Sequence, residues 1–257
     1  MPPAPYTLLL LGEVDIRGPG GNAGELCVQS KVVALLARLS LPAVGRFVRR
    51  DTLVGLLWPE LEEARARGAL RKAVHAIRAV MGADALPGRG DEELALAPEH
   101  VNCDADVFRQ AADAGRLMQA LQLYRGELMP GFHLAACAEF DRWLEDERHA
   151  LAERAAGAAW ALAQRYESDN QLSDAAGMAR NAIRFSWSDE RALRRALMML
   201  ERLGDRAAAA RLFDEFARRL RADLDVEPSS DTMQLIARIR AGGATEGTRA
   251  PGTPGPP

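Results

Sequence analysis

The chain is predicted to fold as an α+β N-terminal part, a winged helix-turn-helix, followed by an all-α part built on a tetratricopeptide-like helical repeat. Three observations carry this. Residues 49–82 read as two helices with a tight break between them, and a hairpin follows. From Asp104 onward the apolar spacing is helical with few β signals. Aromatics make up only 5% of the chain while alanine is abundant, which favours close-packed helices over a β-sandwich. A length of 257 residues allows one large or two medium domains, each with its own core.

Tyr6 to Arg17 reads as one or two short strands, residues 18–22 as a loop, and Glu25 to Gln29 as another strand. Gly18, Gly20 and Ala23 come near a dinucleotide fingerprint. That fingerprint needs a helix opening at the glycines, so a turn between strands is the preferred reading. Ser30 can cap a helix through about Leu41, burying Val32, Val33, Leu35, Leu36 and Leu39, and Pro42 and Gly45 break it. The N-terminus has no basic stretch, and its apolar run is four leucines. Neither a signal peptide nor a membrane span is expected, and the cytoplasm is the expected location. Cys27, Cys103 and Cys137 have no close Cys/His pairing, so buried free thiols are expected, with no metal site, disulfide or cofactor.

In the helix pair, Asp51 or Thr52 can cap the first helix, which carries Leu53, Val54, Leu56 and Leu57 at helical spacing. Trp58-Pro59 ends it, because a residue before proline is pushed out of the α region. The second helix, about residues 62–81, opens in an acidic turn of Glu60, Glu62 and Glu63. Leu70, Val74, Ile77 and Met81, with Ala73 and Val80, fall in one arc. Arg67, Arg71, His75 and Arg78 fall in another, with Lys72 and Arg65 beyond them. Arg46 to Gly82 holds eight basic and four acidic residues, a local +4 in a chain of net charge −3. A short helix behind a longer one with a basic outer face is the layout of a helix-turn-helix. A solvated basic face is the bland alternative. The sign then reverses, with nine acidic and five basic residues from Asp104 to Ala150.

Pro87, Gly88 and Gly90 mark a turn between extended segments, a wing with Arg89 at its tip and Asp91, Glu92 and Glu93 beside it. Helices are then expected near 104–114, 116–128, 137–167, 171–184, 189–203, 205–221 and 229–241. Asn170, Ala175, Ala176, Met178 and Ala182 align with Gly204, Ala209, Ala210, Leu212 and Phe216 at a shift of 34 residues, the tetratricopeptide period. Asp141, Glu145 and Glu147 read as a solvated acidic face, and Trp58, Trp143, Trp160 and Trp187 as packing residues. The Gly/Pro-rich end, 242–257, cannot bury a core and is expected to be a disordered tail.

Several motifs occur in a recognisable order. Leu11-Gly12 is followed by Lys31 with Ala34-Leu35-Leu36. Arg50-Asp51-x-Leu53-x-x-x-Leu57-Trp58-Pro59 and Ala69-Leu70-x-x-Ala73-Val74-x-x-Ile77-Arg78 come next. Cys103-Asp104-x-x-x-Phe108, Glu139-Phe140-x-x-Trp143-Leu144-x-x-Glu147-Arg148 and Asp223-Leu224-x-Val226-Glu227-Pro228-Ser229 complete the series. Together they resemble the bacterial regulators that carry a bacterial transcriptional activator domain, among them the Streptomyces antibiotic regulatory proteins. The likeness runs from about Tyr6 to Ala241. It implies a winged helix of the response-regulator effector type over 1–103, the activator domain over 104–241, and no phosphoacceptor domain. It also implies binding to double-stranded promoter DNA, often as a homodimer on direct repeats, and activation through RNA polymerase. One departure is a wing tip without the aromatic that follows glycine in many relatives.

The candidate DNA contacts are Arg67, Arg71, Lys72, His75 and Arg78 on the second helix, Arg49 and Arg50 ahead of the first, and Arg89 in the wing. Arginine can read guanine bidentately, whereas lysine and outlying arginines more often grip phosphate. No phosphate loop, nucleophile elbow or metal-binding helix pair is present in the sequence, so an enzyme is not expected. The competing reading is a protein-interaction adaptor that uses the repeat groove and binds DNA weakly or not at all.

Overall fold

The computed structural model describes residues 5–19, 21, 23–186 and 189–242. Gly20 and Asn22 of the expected loop, Trp187 and the expected tail from 243 onward lie outside the described residues. The chain divides into two compact units, Met1–Ala155 and Ala156–Pro257.

The first unit is mixed. Strand β1 (Tyr6–Leu9) pairs antiparallel with β2 (Asp15–Arg17) and parallel with the much later β6 (Val101–Cys103). Where a strand was expected over Glu25–Gln29, residues Ala23–Val28 form a 3₁₀ turn instead. Ala23 and Leu26 are buried three residues apart, and that spacing stacks them on one side of a 3₁₀ helix rather than alternating them across a strand. Helix α1 (Ser30–Ser40) buries the expected stripe, but Gln29 takes the capping position and Ser30 is already helical, with no side-chain cap.

The short strand β3 (Val48–Arg49) leads straight into α2 (Arg50–Leu57), so Asp51 and Thr52 sit inside the first turn and neither caps it. Helix α3 (Glu63–Met81) follows and ends at Gly82, whose φ of +90° suits glycine and stops the helix. Strands β4 (Gly88–Arg89) and β5 (Glu93–Leu94) form a hairpin that adds to β3 in the order β3-β5-β4. Arg89 therefore belongs to a strand, opposite Glu93, and Gly90 with its φ of +55° begins the turn.

Asp104, the first residue of α4 (Asp104–Asp113), fixes the end of β1. Its carboxylate accepts from the Leu10 N–H at 2.8 Å, the Leu11 N–H at 3.2 Å and Arg125 at 3.0 Å. Burial pushes this carboxyl above its ordinary range, against those three bonds. Helix α5 (Leu117–Leu123) is shorter than the expected 116–128. After it the chain turns to place Leu128 opposite Leu11, and Arg148 of α6 (Ala138–Ser168) satisfies the carbonyls of Leu128 at 2.8 Å, Met129 and Phe132 at 3.2 Å. The acidic face expected on α6 is also tied locally. Asp141 accepts from the Leu134 N–H at 3.0 Å, and Glu147 pairs with Arg109 at 2.9 Å with both side chains mostly covered. Cys103 and Cys137 are buried as expected, while Cys27 is only half-buried.

The second unit takes in the later part of α6 and α7 (Leu172–Phe185), α8 (Glu190–Arg202), α9 (Arg206–Leu224) and α10 (Ser230–Ala241). Its core is rich in alanine: Ala175, Ala176 and Ala179 of α7 and Ala208 and Ala209 of α9 pack around Leu193, Leu197 and Leu200 of α8. Small residues let helix backbones approach closely. The turns before α7 and α9 are alike. Asn170 and Gly204 are both left-handed, at φ of +58° and +74°. Gln171 N–H reaches Tyr166 O at 2.7 Å and Asp205 N–H reaches Leu200 O at 3.0 Å, the same five-residue closure. Leu172 and Arg206, the first residues of α7 and α9, stand 34 residues apart, whereas Glu190 and Ser230, which open α8 and α10, stand 40 apart. Among the described residues no helix is long and apolar enough to cross a membrane.

Candidate nucleic-acid interface

Helix α3 spans about 28 Å at 1.5 Å per residue. It buries Ala66, Leu70, Ala73, Val74, Ile77 and Met81, which fixes its inner face. The outer arc is then set by geometry: Arg67, Arg71, Lys72 and His75 are exposed and Arg78 is half-buried. Tyr6 helps hold the helix in place, its hydroxyl donating to Val80 O at 2.7 Å.

The arc is electrostatically uneven. Arg67, near its N-terminal end, lies 2.9 Å from Asp51 of α2 and 3.0 Å from Glu63 one turn back. Arg49 is 4.0 Å from Glu92, and Arg89 is 3.9 Å from Glu93. Arg50, Arg71, Lys72, His75 and Arg78 have no ion-pair partner among the described residues. Arg50 is held below the usual arginine range by burial and by repulsion from Arg78 and Arg71, with Asp91 opposing. Its Nε is buried and has no hydrogen-bond partner. Arg50, where α2 begins, thus lies within electrostatic reach of Arg71 in the middle of α3 and Arg78 near its end. One of them serves the fold as well: Arg78 donates through Nε and a terminal nitrogen to Leu86 O, at 3.2 and 2.7 Å.

Lys72 points elsewhere. It lines a groove of about 360 Å³ with Gln29, Ser30, Lys31, Trp58 and Ala69. Lys31 in that groove donates to Leu57 O and, at 2.9 Å, to Cys137 Sγ, and lies 3.5 Å from Glu60, so it ties α1 to the end of α2. In the hairpin, Arg89 stacks on Phe47, its guanidinium carbon 3.9 Å from the ring centroid. An aromatic therefore does pack on the wing, supplied from the residue before β3 and not from the tip.

The structure couples Arg50 electrostatically to Arg71 and Arg78, whereas Arg67 is paired with Asp51 and Glu63, Lys72 lines the groove, and Arg89 lies by Glu93 and Phe47. Sequence reasoning missed Asp51 and Phe47. Each meets its arginine across a separation of sixteen residues or more, and no helical or strand period links such positions.

Residues 99–240 match the family described as the Bacterial transcriptional activator domain. Among solved structures, Mycobacterium tuberculosis EmbR in complex with low affinity phosphopeptide resembles this chain with a TM-score of 0.59 at 20% identity. The likeness covers 93% of this chain and 65% of that one, so this chain spans less than two thirds of that structure's length. It is a likeness of fold, a small N-terminal sheet region followed by a helical C-terminal part. Comparison with curated proteins finds no match.

Proposed function

This chain belongs to the family of the bacterial transcriptional activator domain, and on that footing we propose that it is a sequence-specific DNA-binding regulator. Helix α3 enters the major groove, α2 lies across the backbone behind it, and the β4–β5 hairpin is the wing of a winged helix. In this reading the N-terminal part to Cys103 reads DNA. The helical part from Asp104 to Ala241, tetratricopeptide-like at α7 to α10, serves dimerisation and contact with RNA polymerase.

The observation that carries the proposal is the group Arg50, Arg71 and Arg78, none of them ion-paired among the described residues, with the buried, unpartnered Nε of Arg50. Like charges held together, with Asp91 offsetting only part of their repulsion and no ion pair formed among them, gain when an anion is drawn to them. Duplex DNA supplies a phosphate for Arg50 while Arg71, two turns before Arg78 on α3, faces the bases.

A salt titration tests it, using DNA from upstream of the protein's own gene cluster beside a random duplex. The expected result is tight binding to one fragment, an affinity that falls steeply as salt rises, and loss of both in Arg50→Ala/Arg71→Ala. If that fragment is not bound, a genome-wide selection of bound fragments follows. An empty selection overturns the DNA reading in favour of the adaptor.

A further inference from the structure

The chain carries 33 lysines and arginines, and only two of them, Lys31 and Lys72, are lysines. Far apart in sequence, both line the same groove of about 360 Å³. Lys72, a candidate DNA contact by sequence, turns into that groove, so the group around Arg50 does not account for it.

Three elements build the groove. Ser30, Lys31 and Val32 come from the first turn of α1, Trp58 is the residue after α2, and Ala69, Lys72 and Ala73 lie in the middle of α3. Ala69 and Ala73 stand about one turn apart, and their methyl groups leave room that any longer side chain would fill. Val32, Trp58 and Ala73 are buried and make an apolar floor, while Gln29, Ser30 and Lys72 are exposed and make the rim. Lys31 is half-buried, its ammonium 5.9 Å from the Trp58 ring centroid and 3.5 Å from Glu60. That carboxylate offsets one lysine. Lys72 has no ion-pair partner among the described residues, which leaves the groove positive.

We propose that this groove is a binding site for a small aromatic anion, a planar molecule carrying one carboxylate or sulfonate. Sites that hold small ligands measure about 300–1,000 Å³ and are mostly apolar, with a few polar groups that fix orientation. The ring system lies against Trp58, Val32 and the two alanines, and the acid group meets Lys72 at the rim, where Gln29 and Ser30 offer further donors. Lysine suits this place. Its ammonium is a compact charge on a flexible stem and can fold over an occupant, whereas the planar arginine fork is matched to paired oxygens. A phosphodiester backbone gains nothing from an apolar floor, so duplex DNA is the poorer occupant. The site does not depend on the DNA reading.

The test uses the full chain and anilinonaphthalene sulfonate, whose emission rises on binding, beside phenylnaphthylamine, the same ring system without the acid group. The sulfonate should bind saturably and at least about tenfold more tightly than its neutral twin, and Lys72→Gln and Lys72→Glu should both remove that preference. Ala69→Phe, at a half-buried position on the groove, fills the space and should abolish saturable binding of both dyes. Arg65→Glu changes the charge at an exposed arginine of the same helix outside the groove and should stay within about twofold of the parent. Because the chain has only two lysines, amine labelling read by peptide mass spectrometry reports on the groove directly: the bound sulfonate should slow labelling of Lys72 severalfold. Far-ultraviolet circular dichroism checks that each variant is folded. Equal affinity for the two dyes, sulfonate binding unchanged in Lys72→Glu and Ala69→Phe, or equal losses in Lys72→Glu and Arg65→Glu would overturn the proposal. So would displacement of the sulfonate by a random duplex that itself protects Lys72 from labelling, which would make this lysine a phosphate contact.

Discussion

Two stretches of α3 carry the same residue type in different electrostatic settings. At the N-terminal end Arg67 is held between Asp51 and Glu63. From the middle of the helix onward, Arg71 and Arg78 act on Arg50 with no carboxylate in ion-pair range among the described residues. An arginine already satisfied by two carboxylates must give them up to bind anything else; one surrounded by like charge gains by binding an anion. By residue type alone the two stretches look equally suited to DNA, whereas their surroundings favour the one from Arg71 onward.

That contrast can be broken experimentally, and the largest effect is expected at Arg71. Arg71→Ala should cost about 1–3 kcal/mol of specific binding if the side chain reads a base, whereas equal loss on random duplex marks a phosphate contact. Arg78→Ala should show mainly in stability. Removing two charged donors from the buried Leu86 carbonyl costs about 1–2 kcal/mol, or roughly 2–6 °C in a thermal melt. A drop in DNA affinity as large as that of Arg71→Ala, with an unchanged melt, would instead make Arg78 a contact residue. Arg67→Ala should weaken binding by less than about 1 kcal/mol, because its exposed ion pairs are lost together with the contact. A larger loss there than at Arg71 would reverse the ranking of the two stretches. Smallest of all, Asp51→Asn should tighten DNA binding by about 0.2–1 kcal/mol by releasing Arg67, most visibly at low salt.

The inner face of α3 was legible because burial follows a period of 3.6, and Ala66, Leu70, Ala73, Val74, Ile77 and Met81 obey it. The outer arc followed by exclusion. What period cannot supply is the identity of neighbours from other elements, and there the sequence reading of the site needed correcting. Arg67 and Arg71 look interchangeable along the helix, yet Asp51 meets only the first. The expected strand at Glu25–Gln29 is a 3₁₀ turn, because two buried residues three apart outweighed a weak alternation. The overlong reading of α5 has the same origin. Its helical pattern continues through Leu128, but Leu11 and Arg148 take that segment for other pairings.

The hydrogen bonds from Leu10 and Leu11 to Asp104 also set a timetable for synthesis. The first of them joins residues 94 positions apart, and β6, the parallel partner of β1, ends at Cys103. At about 5–20 residues per second, the first strand leaves the ribosome about 5–20 seconds before its partner strand and its capping carboxylate exist. In that interval β1 has its antiparallel strand partner β2 but not its parallel one. The residues of β1 are thus made well before the partners that complete their setting, and a pause in translation before residue 104 would prolong the exposure of that leucine run to other chains.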